Sequence, residues 1–154
     1  MKKLIVFTTL VLVSAIASAD QTRIADYKRA RALFWKRVYP EGNTLYCNKS
    51  FNNSKKTIDG WSINIEHVFA ASWMTGAIGC GTRKQCRATS DRFNLAEADL
   101  HNLYPSLAKT NSSRNNLFFG EINGERHKFN CDFERSKYLV EPRDNAKGEI
   151  ARSI

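Results

Sequence analysis

The chain reads as a mixed α+β, disulfide-stabilised domain. Three observations predict this: apolar residues at helical spacing over residues 22–38, two-residue alternation over residues 61–68, and four cysteines behind an export-type leader. A length of 154 residues gives one modest domain and excludes a large multidomain enzyme.

Residues 1–19 stand apart from the fold. Lys2 and Lys3 precede an apolar run from Leu4 to Ala17, and the small residues Ala17-Ser18-Ala19 precede Asp20, the pattern of a secretory signal peptide. The run is short of the ~20 residues that a membrane-spanning helix needs. A domain of residues 20–154 is therefore expected outside the cytoplasm, periplasmic or secreted, with no membrane insertion after cleavage. Removing the two leader lysines lowers the net charge from +9 to +7. Such a surface attracts polyanions, and charge alone does not choose among nucleic acid, anionic glycan and anionic lipid.

The four cysteines are Cys47, Cys80, Cys86 and Cys131. In an oxidising compartment an even count predicts two disulfides, and three pairings are open. With no C-x-x-C pair and three scattered histidines, a structural zinc site is the weaker reading.

In chain order, Ile24, Tyr27, Ala30, Phe34 and Val38 recur every three or four residues with Lys28, Arg29, Arg31, Lys36 and Arg37 between them. This predicts an amphipathic helix ending near Tyr39-Pro40, and a solvated face is the simpler reading of its basic side. Residues 41–60 are polar and predict a loop region tied down by Cys47. Trp61, Ile63 and Ile65 alternate with polar neighbours, which predicts a half-buried strand carrying Glu66 and His67 at its end on opposite faces. Gly76, Gly79 and Gly81 mark a flexible stretch, and residues 93–98 suit either strand or short helix. Pro105 biases Tyr104 away from helix, so residues 102–105 read as a turn. Ser106 is a plausible cap for a helix over residues 106–116. Gly120 and Gly124 give residues 118–133 a hairpin-like pattern.

The chemistry concentrates in Glu66-His67, the segment from Asp99 to Pro105, and Asn111-Ser112-Ser113-Arg114. A phosphodiesterase needs a base for water, a hard cation for developing charge and a cationic group for the phosphate. His67 suits the base, since imidazole is largely neutral near pH 7. Glu66 and Asn111 offer oxygen ligands, and Mg²⁺ takes only one or two protein groups. Arg83 and Arg114 are the phosphate-clamp candidates, Arg114 lying one helical turn from Asn111.

These residues resemble the bacterial endonuclease I family of periplasmic and secreted nucleases. The resemblance runs through Tyr46-Cys47, Glu66-His67-Val68-Phe69-Ala70-Ala71-Ser72, Thr82-Arg83-Lys84-Gln85-Cys86, the segment from Glu97 to Pro105, Asn111 to Arg114, and Glu141 to Gly148. It implies a ββα-metal (His-Me finger) core. It also implies His67 as general base, Glu66 and Asn111 as ligands of one Mg²⁺ for which Ca²⁺ or Mn²⁺ substitutes in binding, and Arg83 as phosphate binder with Lys84 adjacent. The carbonyl of Glu97 is expected to orient the imidazole, and Asn102 to brace the following loop. His101 and His127 match no catalytic position. Ala70 stands where a proline is common, and relatives usually continue well past Ile154, so the chain is expected to be C-terminally short.

The implied activity is metal-dependent, sequence-nonspecific cleavage of DNA, and of RNA, by a monomer, leaving 5′-phosphate ends. The rival expectation is a non-catalytic cationic protein that binds nucleic acid or glycan.

Overall fold

The computed structural model describes residues 22–52, 57–124 and 126–154. The expected signal peptide lies outside them. No helix among the described residues is long and apolar enough to cross a membrane.

The first helix, α1 (Tyr27–Leu33), continues as a π-helical segment, Phe34–Val38. It starts five residues later than the apolar spacing predicts, because Asp26 caps it, accepting from the Arg29 amide at 3.0 Å. The supposed loop of residues 41–60 contains a hairpin, β1 (Glu41–Asn43) with β2 (Ser50–Asn52), and a short β3 (Thr57–Ile58). The alternating segment is β4 (Trp61–His67), as expected. Helices α2 (Ala71–Ile78), α3 (Arg83–Thr89) and α4 (Asp91–Glu97) follow.

One expectation is corrected in this region and one open alternative is decided. The glycine-marked stretch is largely helical: Gly76 lies within α2, and Gly79 at φ +72° ends it in the left-handed conformation that glycine adopts without penalty. A helical glycine costs only about 1 kcal/mol, and Met74 packs with Cys86 and Phe93 in a small core of their own. Residues 93–98 resolve to helix, capped by Ser90, whose hydroxyl accepts from the Phe93 amide.

A 3₁₀ turn, Leu100–Asn102, leads into β5 (Leu103–Leu107), which pairs antiparallel with β4 from Ile63↔Leu107 to His67↔Leu103. The turn expected over residues 102–105 is therefore mostly strand. Proline is extended enough for a strand and loses only a donor, and the Pro105 carbonyl still accepts from the Leu45 amide at 2.8 Å. Ser106 belongs to β5 and caps nothing; α5 (Ala108–Arg114) begins after Leu107. The expected hairpin over residues 118–133 is also corrected. There, β6 (Phe118–Phe119) pairs parallel with β8 (Leu139–Pro142), which pairs antiparallel with β7 (Phe133–Arg135). The last helix is α6 (Asp144–Ala151).

The main core gathers Leu45, Tyr46, Phe51, Val68, Phe133 and Val140, and a second cluster packs Ala30 and Phe34 of the first helix on Ala98 and Leu103. Both meet at the β4–β5 pair, so the end of β4 is fixed from two sides.

The cysteines pair as Cys47–Cys131 and Cys80–Cys86, separated by 84 and 6 residues. Loop-closure entropy scales with the logarithm of loop length, giving about 4.5 kcal/mol for the long loop and about 2.4 kcal/mol for the short one. Replacing Cys47 and Cys131 together by serine should lower unfolding free energy roughly twice as much as replacing Cys80 and Cys86. Urea denaturation of the two double variants checks the order.

Candidate active site

Strand β4 delivers Glu66 and His67 in consecutive positions, so their side chains leave opposite faces. Glu66, 2% exposed, points toward α5. Its Oε1 accepts from Tyr46 Oη at 2.7 Å and from Arg114 Nη1 at 3.0 Å, while its Oε2 carries no hydrogen bond among the described residues. Burial pushes its carboxyl up to about 7, and Arg114 and the Tyr46 hydroxyl only partly offset that. Burial thus outweighs the single guanidinium and shifts the carboxyl toward its neutral form.

Asn111, on α5, donates both amide hydrogens, to Asn64 Oδ1 at 2.9 Å and to the Ile65 carbonyl at 3.1 Å. With the donors spent, its Oδ1 remains as an acceptor or ligand atom. Arg114, one turn further, is 1% exposed. Besides Glu66 it donates to the carbonyls of His67 at 2.9 Å and Val68 at 2.6 Å, and its guanidinium lies 4.8 Å from the Trp73 ring centroid and 4.7 Å from that of Phe119. That placement does not suit the expected phosphate clamp. Arg114 is buried, its Nη1 and Nη2 hydrogen bonds go to Glu66, His67 and Val68, and its Nε has no partner among the described residues.

On the other face, His67 is 8% exposed. Its Nε2 donates to the Glu97 carbonyl at 3.0 Å, since a carbonyl can only accept. The imidazole is therefore the Nε2–H tautomer, with a lone pair on Nδ1. Burial, together with the Arg83 and Arg87 charges, lowers its pKa to about 4, so the ring is neutral at neutral pH. Tyr27 packs on it, ring centroids 5.2 Å apart.

Glu97 serves twice. While its carbonyl holds His67, its buried carboxylate accepts from Arg83 Nε and, in a bidentate pair, from Arg87 Nε at 2.7 Å and Nη2 at 2.8 Å. Desolvation opposes ionisation of this carboxyl, yet hydrogen bonds from both arginines hold it below the usual carboxylate range. Arg83 and Arg87 lie 5.5 and 5.4 Å from the Tyr27 ring centroid and remain partly exposed. Lys84, next to Arg83, is on the exposed side of α3. Asn102 braces the loop after β4: its Oδ1 accepts from the Phe69 amide at 2.6 Å, its Nδ2 donates to the Phe69 carbonyl at 3.1 Å, and its own carbonyl accepts from the Val68 amide at 3.1 Å. Ala70 ends that loop at φ −59°, the angle proline would impose.

The sequence profile described as Endonuclease I matches residues 11–154. The chain belongs to the endonuclease I family. It is 30% identical to an extracellular deoxyribonuclease of Aeromonas hydrophila over 93% of this chain and 71% of that protein. It is 32% identical to Endonuclease-1 of Buchnera aphidicola subsp. Acyrthosiphon pisum (strain APS) over 79% of this chain and 50% of that protein. A periplasmic deoxyribonuclease of A. hydrophila is 31% identical over 72% and 56% of the two chains. The chain thus spans about half the length of the latter two relatives. Membership implies a nuclease with a divalent metal cofactor.

Within this endonuclease I fold, Tyr46, Arg87 and Tyr27 are the site neighbours that sequence reasoning missed. Arg87 had a signal, since it lies four residues after Arg83 on one helix face. The remaining histidines lie apart. His101 is exposed beside Asp99, and His127 faces Asp132 and Glu134 at 3.6 and 3.4 Å.

Removing the guanidinium should leave Glu66 and the carbonyls of His67 and Val68 buried without their donor. Arg114→Ala is expected to cost about 3–5 kcal/mol in unfolding free energy. Adding Glu66→Gln should recover part of that loss, as a double-mutant cycle by thermal denaturation would read.

Proposed function

We propose that this chain is an exported, Mg²⁺-dependent endonuclease that hydrolyses phosphodiester bonds of DNA, and of RNA, without sequence preference, acting as a monomer in the periplasm or outside the cell. The observation that carries the reading is the carbonyl-held imidazole of His67 next to the buried Glu66, whose Oε2 accepts no hydrogen bond among the described residues.

The donor set fits a hard cation: Glu66 Oε2 and Asn111 Oδ1 are two oxygens with no other partner among the described residues, and a Mg²⁺ held by them would take its remaining ligands from water and the substrate. Bound there, the ion supplies Lewis-acid stabilisation of charge on the phosphate and on the leaving oxygen. Ca²⁺ or Mn²⁺ would occupy the same oxygens.

His67 Nδ1 takes a proton from water as its oxygen attacks phosphorus. The depressed basicity of the ring keeps it in the proton-accepting form at neutral pH and eases return of the proton to solvent. Glu97 holds the opposite nitrogen, so the lone pair does not wander with the tautomer. Arg83, with Lys84 beside it, holds a nonbridging oxygen of the phosphate. Breaking the bond to the 3′ oxygen leaves the phosphate on the 5′ end. Contacts to backbone phosphates rather than base edges account for indifference to sequence.

Plasmid nicking tests the reading directly. His67→Ala should abolish nicking in Mg²⁺ while retaining DNA binding, and undiminished nicking would remove His67 from the mechanism. Wild-type protein should lose activity in excess chelator and regain it with Mg²⁺; full activity in chelator would exclude the Glu66–Asn111 metal site. Folded, oxidised protein that binds DNA and never nicks it would favour the cationic binding protein instead.

A further inference from the structure

The basic side of the first helix is not uniformly solvated. Arg31 and Tyr27, four residues apart and so on one face, both line two adjoining clefts. One cleft runs from Arg31 and Lys28 to Arg87 and Glu97. The other runs from Arg31 past Ile65 to Asn64. Because they share Tyr27 and Arg31, the two make one groove with the Tyr27 ring in its wall. One end reaches the residue whose carbonyl holds His67, and the other reaches the residue whose side chain accepts from Asn111.

The carboxylates at the first end are already committed. Asp26 caps α1, accepting from the Arg29 amide, and Glu97 is covered by Arg83 and Arg87. Arg31 is exposed and is paired with no carboxylate among the described residues. A guanidinium in a groove that ends at Glu97 on one side and at Asn64 on the other, each bonded to a residue of the site, is placed for an anion carried by the substrate itself.

We propose that Arg31 binds a backbone phosphate of the cleaved strand next to the scissile one, so that the strand lies along the α1 groove. The proposal rests on the nuclease reading above and adds to it a second phosphate subsite, supplied by α1 rather than by the α3 arginines. Arginine is suited to this because its planar fork donates two parallel hydrogen bonds to a phosphate.

The test uses full-length protein carrying His67→Ala, so that DNA is bound and not cut. Each phosphate contact contributes a slope of about −0.9 on duplex DNA to the dependence of log affinity on log salt. Adding Arg31→Gln should make that slope shallower by about one unit, and Arg31→Lys should largely restore it. Arg29→Gln, on the same helix but outside the groove, should change it much less. Single methylphosphonate substitutions along an oligonucleotide should locate the contact: one neutralised linkage near the scissile position should weaken binding to the Arg31 protein and leave the Arg31→Gln protein unaffected.

An unchanged slope for Arg31→Gln would overturn the proposal. So would an equal effect of Arg29→Gln, which would make Arg31 only part of a diffuse field, or identical methylphosphonate profiles for the two proteins. Plasmid nicking by wild-type protein separates the two levels. If it nicks and Arg31→Gln behaves as its parent, the subsite alone falls; if it does not nick, the nuclease reading falls.

Discussion

The active end of this protein depends on how α5 closes the open edge of β4. Strand β4 pairs with β5 on one side, while on the other β3 reaches only Trp61 and Ser62. The carbonyls of Ile65 and His67 would be left without strand partners there, and buried carbonyls are rarely left unsatisfied. Asn111 donates to the first and Arg114 to the second. Two strand residues advance about 6.7 Å and three helical residues about 4.5 Å. The longer arginine makes up the difference. Side chains thus replace a missing strand, and the edge that neighbouring chains could otherwise add to is covered.

This solution has an electrostatic consequence. To cap the edge from inside, Arg114 must be buried, and a buried guanidinium needs a counter-charge. Glu66 supplies it, one residue before the carbonyl that Arg114 also holds. Two aromatic rings, Trp73 and Phe119, flank the cation and exclude water from it. The same low-dielectric setting leaves Glu66 under-neutralised, because desolvating a carboxylate costs more than one shared cation returns. The residue that caps the edge and the buried carboxyl that balances it are therefore one feature of the fold.

Much of this was legible in the sequence, and the failures have physical causes. The two-residue alternation of Trp61, Ile63 and Ile65 places β4 correctly because burial on one face sets the period. Residues joined by local chemistry were also readable: Glu66-His67 at a strand end, and Asn111 with Arg114 one helical turn apart. Pro105 misled because its φ suits turn and strand alike, and only the register against Ile65 decides between them. Gly76 misled because packing of Met74 outweighs a small propensity cost. The parallel pairing of Phe118 with Leu139 leaves no local trace, since the partners are 21 residues apart. Arg114 was misjudged for a similar reason. Its charge suggests solvent, and its burial follows only from the unpaired edge that it meets in three dimensions.

Glu97 illustrates how the same few residues tie the two faces of β4 together. Its carbonyl fixes the tautomer of His67, and its carboxylate gathers Arg83 and Arg87 beside Tyr27, which packs on the same imidazole. A residue at the C-terminal end of α4 can do both only because the helix's last carbonyls lack partners of their own, so one is available to a side chain from outside. The helix end orients the imidazole, and the side chain of the same residue sets the positive rim around it. Moving either function to another residue would require a second helix end at this point. The conjunction is thus a consequence of the topology as much as of the chemistry.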